Sequence, residues 1–485
     1  MSEFSERCRQ LLINSGSNVY QMAKHSSLDK TSIQRMVTGK RLPSLDFVKD
    51  FCSYLRISPI EKKELLELYE IEKVGKSEYM SRCYIKSLIE SLSFLDEENK
   101  KNISFSETLD YYEPFSPVPN VENKILSILQ SELKNNNKPE ILFNLPTSYR
   151  YIFFILKGLF ADFKGEASVK HLITLNKNPL NTVYPCQNLE ALSHILPLSE
   201  ILKDIYRPYY LYSNLTPSDE KMLIMPYYII TSEYLLTISS DFKTVSLHDT
   251  DTAIEKYRKE FYRIFDMAQP LIKYADNTFK IINHLQENYI EYGLPSHSLE
   301  FHPCLFFMDT SFELSKESFK QIPHAEEHIA ALQEMYKVVS ASTLPPPRKK
   351  SGTTISFFSE PGLEMFCQTG KCFGQYKNLE MGFSPEERKV MLKSYFRNRD
   401  AEAFTPYILK PSFHTPTYLN IELHESHTVT IFSLKENFQF SFIQIKESSI
   451  CTAFYSFFQY LTDSDFVYTA KETGSILENY FHSLL

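Results

Sequence analysis

The sequence lacks most of the patterns that identify an enzyme. It contains no Trp and only 12 Gly among 485 residues. None of these glycines belongs to a phosphate-binding P-loop, a GxGxxG dinucleotide fingerprint or a GxSxG nucleophile motif. Its 8 Cys form no CxxC pair and no regular spacing, which is typical of reduced thiols in a cytoplasm. We therefore expect no catalytic residue, no cofactor and no enzyme activity.

Metal-ligating side chains form no complete set either. In residues 324–328 the Glu falls one position too late for a zincin HExxH pattern, and no third ligand is signalled. That segment contributes His324 and His328. Cys367 and Cys372 lie five residues apart, and an expected strand carries Glu422, His424, Glu425 and His427 in alternation. We interpret them as ordinary helix-surface, strand and loop positions and expect no metal site.

Long apolar runs are also missing. The most apolar stretch, residues 151–163, is interrupted by Lys157 and Asp162 and is too short to span a bilayer. Charged and apolar residues alternate in the first ten positions, which does not resemble a signal peptide. We expect a cytoplasmic protein without a membrane partner.

Charge is distributed unevenly along a chain that is long enough for several domains. The net charge is −8. Residues 1–43 contain seven Lys and Arg against three Asp and Glu, a net +4, so the remaining chain carries −12. A small basic head on an acidic body is expected of a protein that contacts phosphate at one end only.

Capping residues and helical periodicity predict five short helices in residues 1–75. Asn18, Asp29 and Ser44 mark helix starts, Gly39 marks a helix end, and Ser58-Pro59 with Glu61 form a capping box. Residues 76–119 indicate a helical linker. Beyond it we expect an α/β sensor or interaction domain at 120–340 and a second α/β unit at 353–485, separated by a stiff connector that contains Pro345–Pro347.

The predicted body alternates strands and helices. Strands are expected at 141–145, 171–175, 209–212 and 227–238, helices at 121–133 and 189–205, and mostly helix at 252–340. The fold class is therefore multidomain, with an all-α head and an α/β or α+β body.

A spacing repeat indicates that the body is internally duplicated. Ile254, Phe261, Tyr262 and Phe265 follow one predicted strand pair, and Ile450, Phe457, Phe458 and Leu461 follow another with the same spacing. In this register Asp241-Phe242 and Asn437-Phe438 both lie in the turn between the two strands. The alternative is that any hairpin followed by an amphipathic helix gives such a match.

Residues 4–72 resemble the lambda-repressor-like (XRE) helix-turn-helix family without gaps. Met22-Ala23 matches the family's Leu-Ala pair, Leu28 the apolar residue of the turn, and Ile33 the buried residue of the recognition helix. Residues 39–44, Gly-Lys-Arg-Leu-Pro-Ser, match the closing signature. The resemblance implies that the outer face of the third helix enters the major groove of double-stranded DNA.

With Ile33 buried, a turn of 100° per residue places Thr31 and Arg35 on the opposite face. The resemblance implies base reading by Lys30, Thr31 and Arg35, which Ser32 and Gln34 flank, and phosphate contacts by Lys40 and Arg41. Three positions depart from the family. Ser27 replaces the Gly of the turn, which we expect to cost some backbone strain; Val19 replaces a phosphate-positioning Gln; and Val37 replaces a common Glu.

The body faintly resembles phospholipase-D-like sensor modules, but the catalytic His-x-Lys of that superfamily occurs nowhere in the sequence. We expect a sequence-specific transcriptional regulator whose body dimerises, senses a small molecule, peptide or protein, or does both. A second interpretation is an interaction or defence-system component whose head autoregulates its operon. A third is an enzyme fused to a DNA-binding head, for which no catalytic constellation is found.

Overall fold

The structure is a computed structural model of the chain. It describes residues 2–92, 119–161, 163–177, 186–213, 223–276, 278–293, 295–302, 354–370, 383–400, 404–415, 419–434 and 440–484. The chain forms two compact units, residues 1–83 and 84–485. None of the helices in the described ranges is both long and apolar enough to cross a membrane.

The first unit is helical, and four of its helices begin at the caps that the sequence predicts. The helices are α1 (Glu3–Asn14), α2 (Val19–His25), α3 (Lys30–Val37), α4 (Leu45–Leu55) and α5 (Pro59–Val74). The boundary after residue 83 falls within α6 (Lys76–Leu92). The side chains of Asn18, Asp29 and Ser44 each accept a hydrogen bond from the first turn of their helix. The capping box of Ser58 and Glu61 is complete. The predicted caps are thus confirmed.

The core of the first unit surrounds the inner face of α3. Ile33 is fully buried, as are Met22 of α2 and Cys8 of α1. Phe4 and Tyr69 bring α1 and α5 together with their rings edge to face, 5.5 Å between centroids. Residues of α1, α2, α4 and α5 share this core and therefore fix how α3 is rotated about its own axis.

The second unit contains two mixed seven-stranded sheets among the described residues. The first has the order β6-β5-β4-β1-β2-β3-β7. Its strands are β1 (Glu140–Phe143), β2 (Ser168–Leu175), β3 (Tyr206–Tyr212), β4 (Tyr227–Ile230), β5 (Leu235–Ile238), β6 (Val245–His248) and β7 (Gln269–Pro270). The helices of this half are α7 (Pro119–Asn135), α8 (Tyr151–Phe160), α9 (Gln187–Leu202) and α10 (Asp251–Phe265).

The second sheet has the order β11-β10-β9-β12-β13-β14-β8. Its strands are β8 (Lys273–Ala275), β9 (His297–Glu300), β10 (Thr354–Ser359), β11 (Phe404–Leu409), β12 (Leu419–His424), β13 (Thr428–Leu434) and β14 (Phe440–Ile445). The helices of this half are α11 (Thr278–Tyr292), α12 (Glu360–Thr369), α13 (Pro385–Asp400), α14 (Ser448–Thr462) and α15 (Ala470–Ser483). The chain is therefore multidomain, with helices and two mixed sheets.

Six strands of each sheet follow one topology. In both sheets three parallel strands (β1, β2 and β3; β9, β10 and β11) adjoin an antiparallel meander (β4, β5 and β6; β12, β13 and β14). Helix α10 packs on β4 and β5, and α14 packs on the corresponding strands β12 and β13. The aligned residues Ile254 and Ile450 are 196 positions apart. Adding 196 to the residue numbers of β6 gives 441–444, which lies within β14, and adding it to those of α10 gives 447–461, which overlaps α14.

Polar side chains join the two sheets across the body. Asn188 of α9 donates a hydrogen bond to the Ser449 hydroxyl at 2.8 Å, and the Tyr212 hydroxyl donates to a carboxylate oxygen of Glu447 at 2.7 Å. Glu447 is buried and also caps α14 through the amide of Ile450. The start of α14 is therefore fixed by Asn188 of α9 and Tyr212 of β3, both from the first half of the body.

Two sequence expectations for the body are wrong. Residues 252–340 were expected to be mostly helix, and α10 and α11 do form most of the part that the structure describes, but β8 and β9 belong to the second sheet. The change of sheet therefore precedes β8, whereas the expected boundary was the connector between 340 and 353. That connector, with Pro345–Pro347, lies outside the described residues, between β9 and β10 in the sequence. The other error is the expected single strand at 227–238, which is a hairpin whose turn comprises residues 231–234.

The turn between β5 and β6 contains a residue under backbone strain. Phe242 has φ of 56°, a left-handed value that is unfavourable for a residue with a Cβ. Its ring stacks between those of Tyr149 and Tyr227, with centroid distances of 4.6 and 5.0 Å. The two stacks stabilise the turn at the position that the sequence predicts. The corresponding turn at Asn437-Phe438 lies outside the described residues.

We predict that Phe242→Gly is more stable than Phe242→Ala. Both changes lose two stacked contacts, about 1–3 kcal/mol in total, but Gly adopts the left-handed φ without the Cβ penalty, which is roughly 1 kcal/mol. Urea unfolding of the full chain, followed by far-UV circular dichroism, measures the difference. Leu236 in the neighbouring strand β5 is the control, because there the Ala variant should be the more stable one. If the Ala variant is more stable than the Gly variant at position 242 as well as at position 236, backbone strain at Phe242 is contradicted.

Candidate nucleic-acid interface

Helices α2 and α3 are joined by a short turn that a serine closes. The Ser26 hydroxyl donates to the carbonyl of Met22 at 2.7 Å and accepts from the amide of Leu28 at 3.2 Å. Ser27 is not among the residues with positive φ. The expectation that Ser27 strains the turn is therefore wrong, because the Ser26 hydroxyl stabilises the turn without a left-handed residue at 27.

Helix α3 has one buried face and one exposed face. Ile33 is buried, as the sequence predicts, and Met36 and Val37 are buried beside it. The residues expected to contact DNA share the outward side or the segment after the helix. Lys30, Thr31, Gln34, Arg35, Lys40 and Arg41 are exposed, and Ser32 is half-buried. These residues form one accessible surface, which comprises the outward side of α3 and the basic pair after it, and which we call the α3 face.

The basic pair after α3 is positioned by a Schellman turn. Gly39 has φ of 69°, the amide of Lys40 donates to the carbonyl of Arg35 at 2.8 Å, and the amide of Gly39 donates to Met36 at 3.0 Å. Further along, the Tyr69 hydroxyl of α5 donates to the carbonyl of Pro43 at 3.0 Å. Both ends of the 39–43 segment are thus attached to the helical core.

Electrostatics leave the α3 face positive. Hydrogen bonds from Ser32, its hydroxyl first and then its amide, hold the pKa of the Asp29 carboxyl below its ordinary value. Arg7 pairs with Glu64 of α5, and Arg9 pairs with Glu6, one turn earlier in α1. In the described part of the chain, by contrast, no ion pair involves Lys30, Arg35, Lys40 or Arg41. The four cations of the face therefore remain available to an anionic partner.

One residue of this surface was missed by the sequence reasoning. Tyr20 of α2 is 63% exposed, and the Lys30 ammonium lies 5.7 Å from the centre of its ring. The helical phase of α2 could have revealed it, because Tyr20 precedes the buried Met22 by two positions and therefore points away from the core.

The other residues considered from the sequence form no comparable site. Glu422 and His424 are buried in β12, and burial lowers the pKa of His424 to about 4. Cys367 is buried in α12, and burial raises its pKa to about 12. Cys372, His324 and His328 lie outside the described residues. Within the described ranges, no three His, Cys, Asp or Glu side chains are grouped as metal ligands.

We predict opposite effects of Gly→Ala substitution at two positions. Gly39→Ala places a Cβ at a left-handed φ and should lower stability by about 1 kcal/mol. Gly158 in α8 has open space around its Cβ position, so Gly158→Ala should be neutral or stabilise by up to about 1 kcal/mol. Denaturant unfolding of the two full-length variants tests this. A Gly39→Ala protein as stable as the wild type would contradict the Schellman turn.

No protein-family model and no curated protein matches this chain. Among solved structures, a phosphatidylserine synthase from Haemophilus influenzae is similar at a TM-score of 0.23 and 6% sequence identity, over 75% of this chain and 90% of that chain. At this TM-score the likeness carries no argument about fold or function.

Proposed function

We propose that this chain is a sequence-specific transcriptional regulator that binds double-stranded DNA through α3. The observation that carries the proposal is the α3 face, an exposed surface with unpaired cations opposite a buried apolar stripe. An α-helix with its side chains is ~10–12 Å in diameter, which fits the ~12 Å width of the major groove. The resemblance to lambda-repressor-like domains supports the same orientation.

The proposed contacts divide into two kinds. Lys30, Thr31 and Arg35 read base edges, and Arg35 has the planar guanidinium that pairs bidentately with guanine. Lys40 and Arg41 follow the Schellman turn, where a fixed backbone presents them to phosphates. Base contacts set the preferred sequence, whereas phosphate contacts raise the affinity for any duplex.

We further propose that the body is a duplicated phospholipase-D-like module that has no hydrolytic role. Strand pairing makes Lys170 of β2 equivalent to Phe357 of β10, and the 196-residue shift makes Tyr262 equivalent to Phe458. The Lys170 ammonium lies 4.5 Å from the Tyr262 ring, and the Phe357 ring lies 5.7 Å from that of Phe458. The same strand-to-helix contact in both halves supports descent from one unit.

A body of this kind would sense a signal and pair two heads in the cytoplasm. The polar pairs Asn188–Ser449 and Tyr212–Glu447 join the two sheets. A small molecule, peptide or protein that binds near them can change the angle between the sheets, because it replaces hydrogen bonds that fix this angle. This arrangement needs neither a cofactor nor a metal ion.

We predict that Arg35→Ala and Lys40→Ala impair DNA binding differently. Arg35→Ala should cost ~1–3 kcal/mol at the preferred site and relax one base preference. Lys40→Ala should weaken all sequences alike and reduce the slope of log K against log salt by about 1. Arg9→Ala is the matched control, since Arg9 pairs with Glu6 on α1. Sites selected from random DNA, followed by titrations at several salt concentrations, provide both measurements. Full-strength selective binding by Arg35→Ala would overturn the assignment.

We predict that the active species is at least a dimer. One recognition helix reads only a few base pairs, which is too little to specify a site in a genome. Light scattering of the full chain, free and with its selected DNA, should give a mass of at least two copies on the DNA. A single copy in both states would contradict this prediction.

A further inference from the structure

Tyr20 is an aromatic side chain on an otherwise polar surface. It is the second residue of α2 and 63% exposed, so the core of the first unit does not require it. The ammonium of Lys30, the first residue of α3, lies 5.7 Å from the centre of the Tyr20 ring. The ring therefore lies where α2 meets the start of the α3 face.

No other described group is placed to orient Lys30. Val19, at the start of α2, has no side-chain donor or acceptor. The Oδ1 atom of Asp29 already accepts hydrogen bonds from the backbone N–H groups of Thr31 and Ser32, with N···O distances of 2.9 and 3.0 Å. No ion pair of Lys30 occurs in the described parts of the chain. A lysine that is attached only through its flexible stem samples many directions, and an aromatic face reduces that number.

We infer that Tyr20 is a positioning residue, whose ring holds the Lys30 ammonium toward one base pair and so sets the preference at that position. The inference rests on the proposed function, because it concerns how the α3 face reads DNA. In helix-turn-helix docking the N-terminal residues of the recognition helix contact base edges, and Lys30 is the first residue of α3. Lysine then contributes selectivity that its flexibility alone would not give.

The experiment compares Tyr20→Phe, Tyr20→Leu and Lys30→Ala in the full-length protein. Phe keeps the ring face, whereas Leu keeps apolar bulk without it. Sites are selected from random duplex DNA with the wild type, and affinities are then measured for the selected site and for its single-base variants. Tyr20→Leu should reduce discrimination by about two- to five-fold at the base pair where Lys30→Ala also reduces it. Tyr20→Phe should keep the wild-type preference.

Two further measurements distinguish positioning from direct contact. In the Lys30→Ala background, Tyr20→Leu should have no additional effect on discrimination. Affinity for unselected DNA and its salt dependence should be unchanged in Tyr20→Leu, because no phosphate contact is lost. A merely structural role of Tyr20 would instead change both affinities.

The outcomes separate this inference from the function on which it rests. Selective wild-type binding with unchanged discrimination in Tyr20→Leu overturns the inference and leaves the proposed function standing. A loss in Tyr20→Phe equal to that in Tyr20→Leu also overturns it, since the hydroxyl would then be the group in contact. Absence of selective DNA binding by the wild type overturns the proposed function and the inference together.

Discussion

The rotation of α3 about its own axis is the constraint on which the candidate interface depends. Ile33 is fully buried among residues of several helices, and a rotation by one residue would bury Ser32 or Gln34 in its place. A buried hydroxyl or amide without a hydrogen-bond partner costs a few kcal/mol, so alternative rotations are excluded by the core. Packing therefore sets the outward direction of Thr31 and Arg35. Because neither side chain belongs to the core, other residue types at these positions would leave the packing of α3 unchanged.

A comparable constraint shapes the second unit, with different chemistry in its two halves. The strand row beneath α10 includes Lys170, whose ammonium bonds to Glu140 and to the Tyr262 hydroxyl. The equivalent row beneath α14 has Phe357, which packs against Phe458, and the buried side chains of α14 are mainly aromatic and aliphatic. One topology thus tolerates either an ion network at a partly exposed face or a buried, mainly apolar layer. The positions are shared because the backbone pairing is shared.

The sequence predicted local features better than those set by distant contacts. Caps such as Asp29 and the helix end at Gly39 depend on neighbouring residues, so pattern alone identified them. β9 escaped because its four residues, His297–Glu300, are all buried although three of them are polar, which reverses the usual pattern. β7 and β8 are two and three residues long, too short to show any periodicity. The placement of Tyr20 beside Lys30 joins two helices, and no single-helix pattern contains it.

The pairing of β9 with β10 has a consequence for the integrity of the chain. These strands are hydrogen-bonded neighbours from Ile355 opposite His297 to Phe358 opposite Glu300, yet residues 301–353 separate them in the sequence. A cleavage anywhere in that interval would divide the polypeptide without dividing the sheet, because the hydrogen bonds between the two strands do not pass through the severed bond. The cut protein would migrate as two polypeptides on a denaturing gel and as one particle in solution.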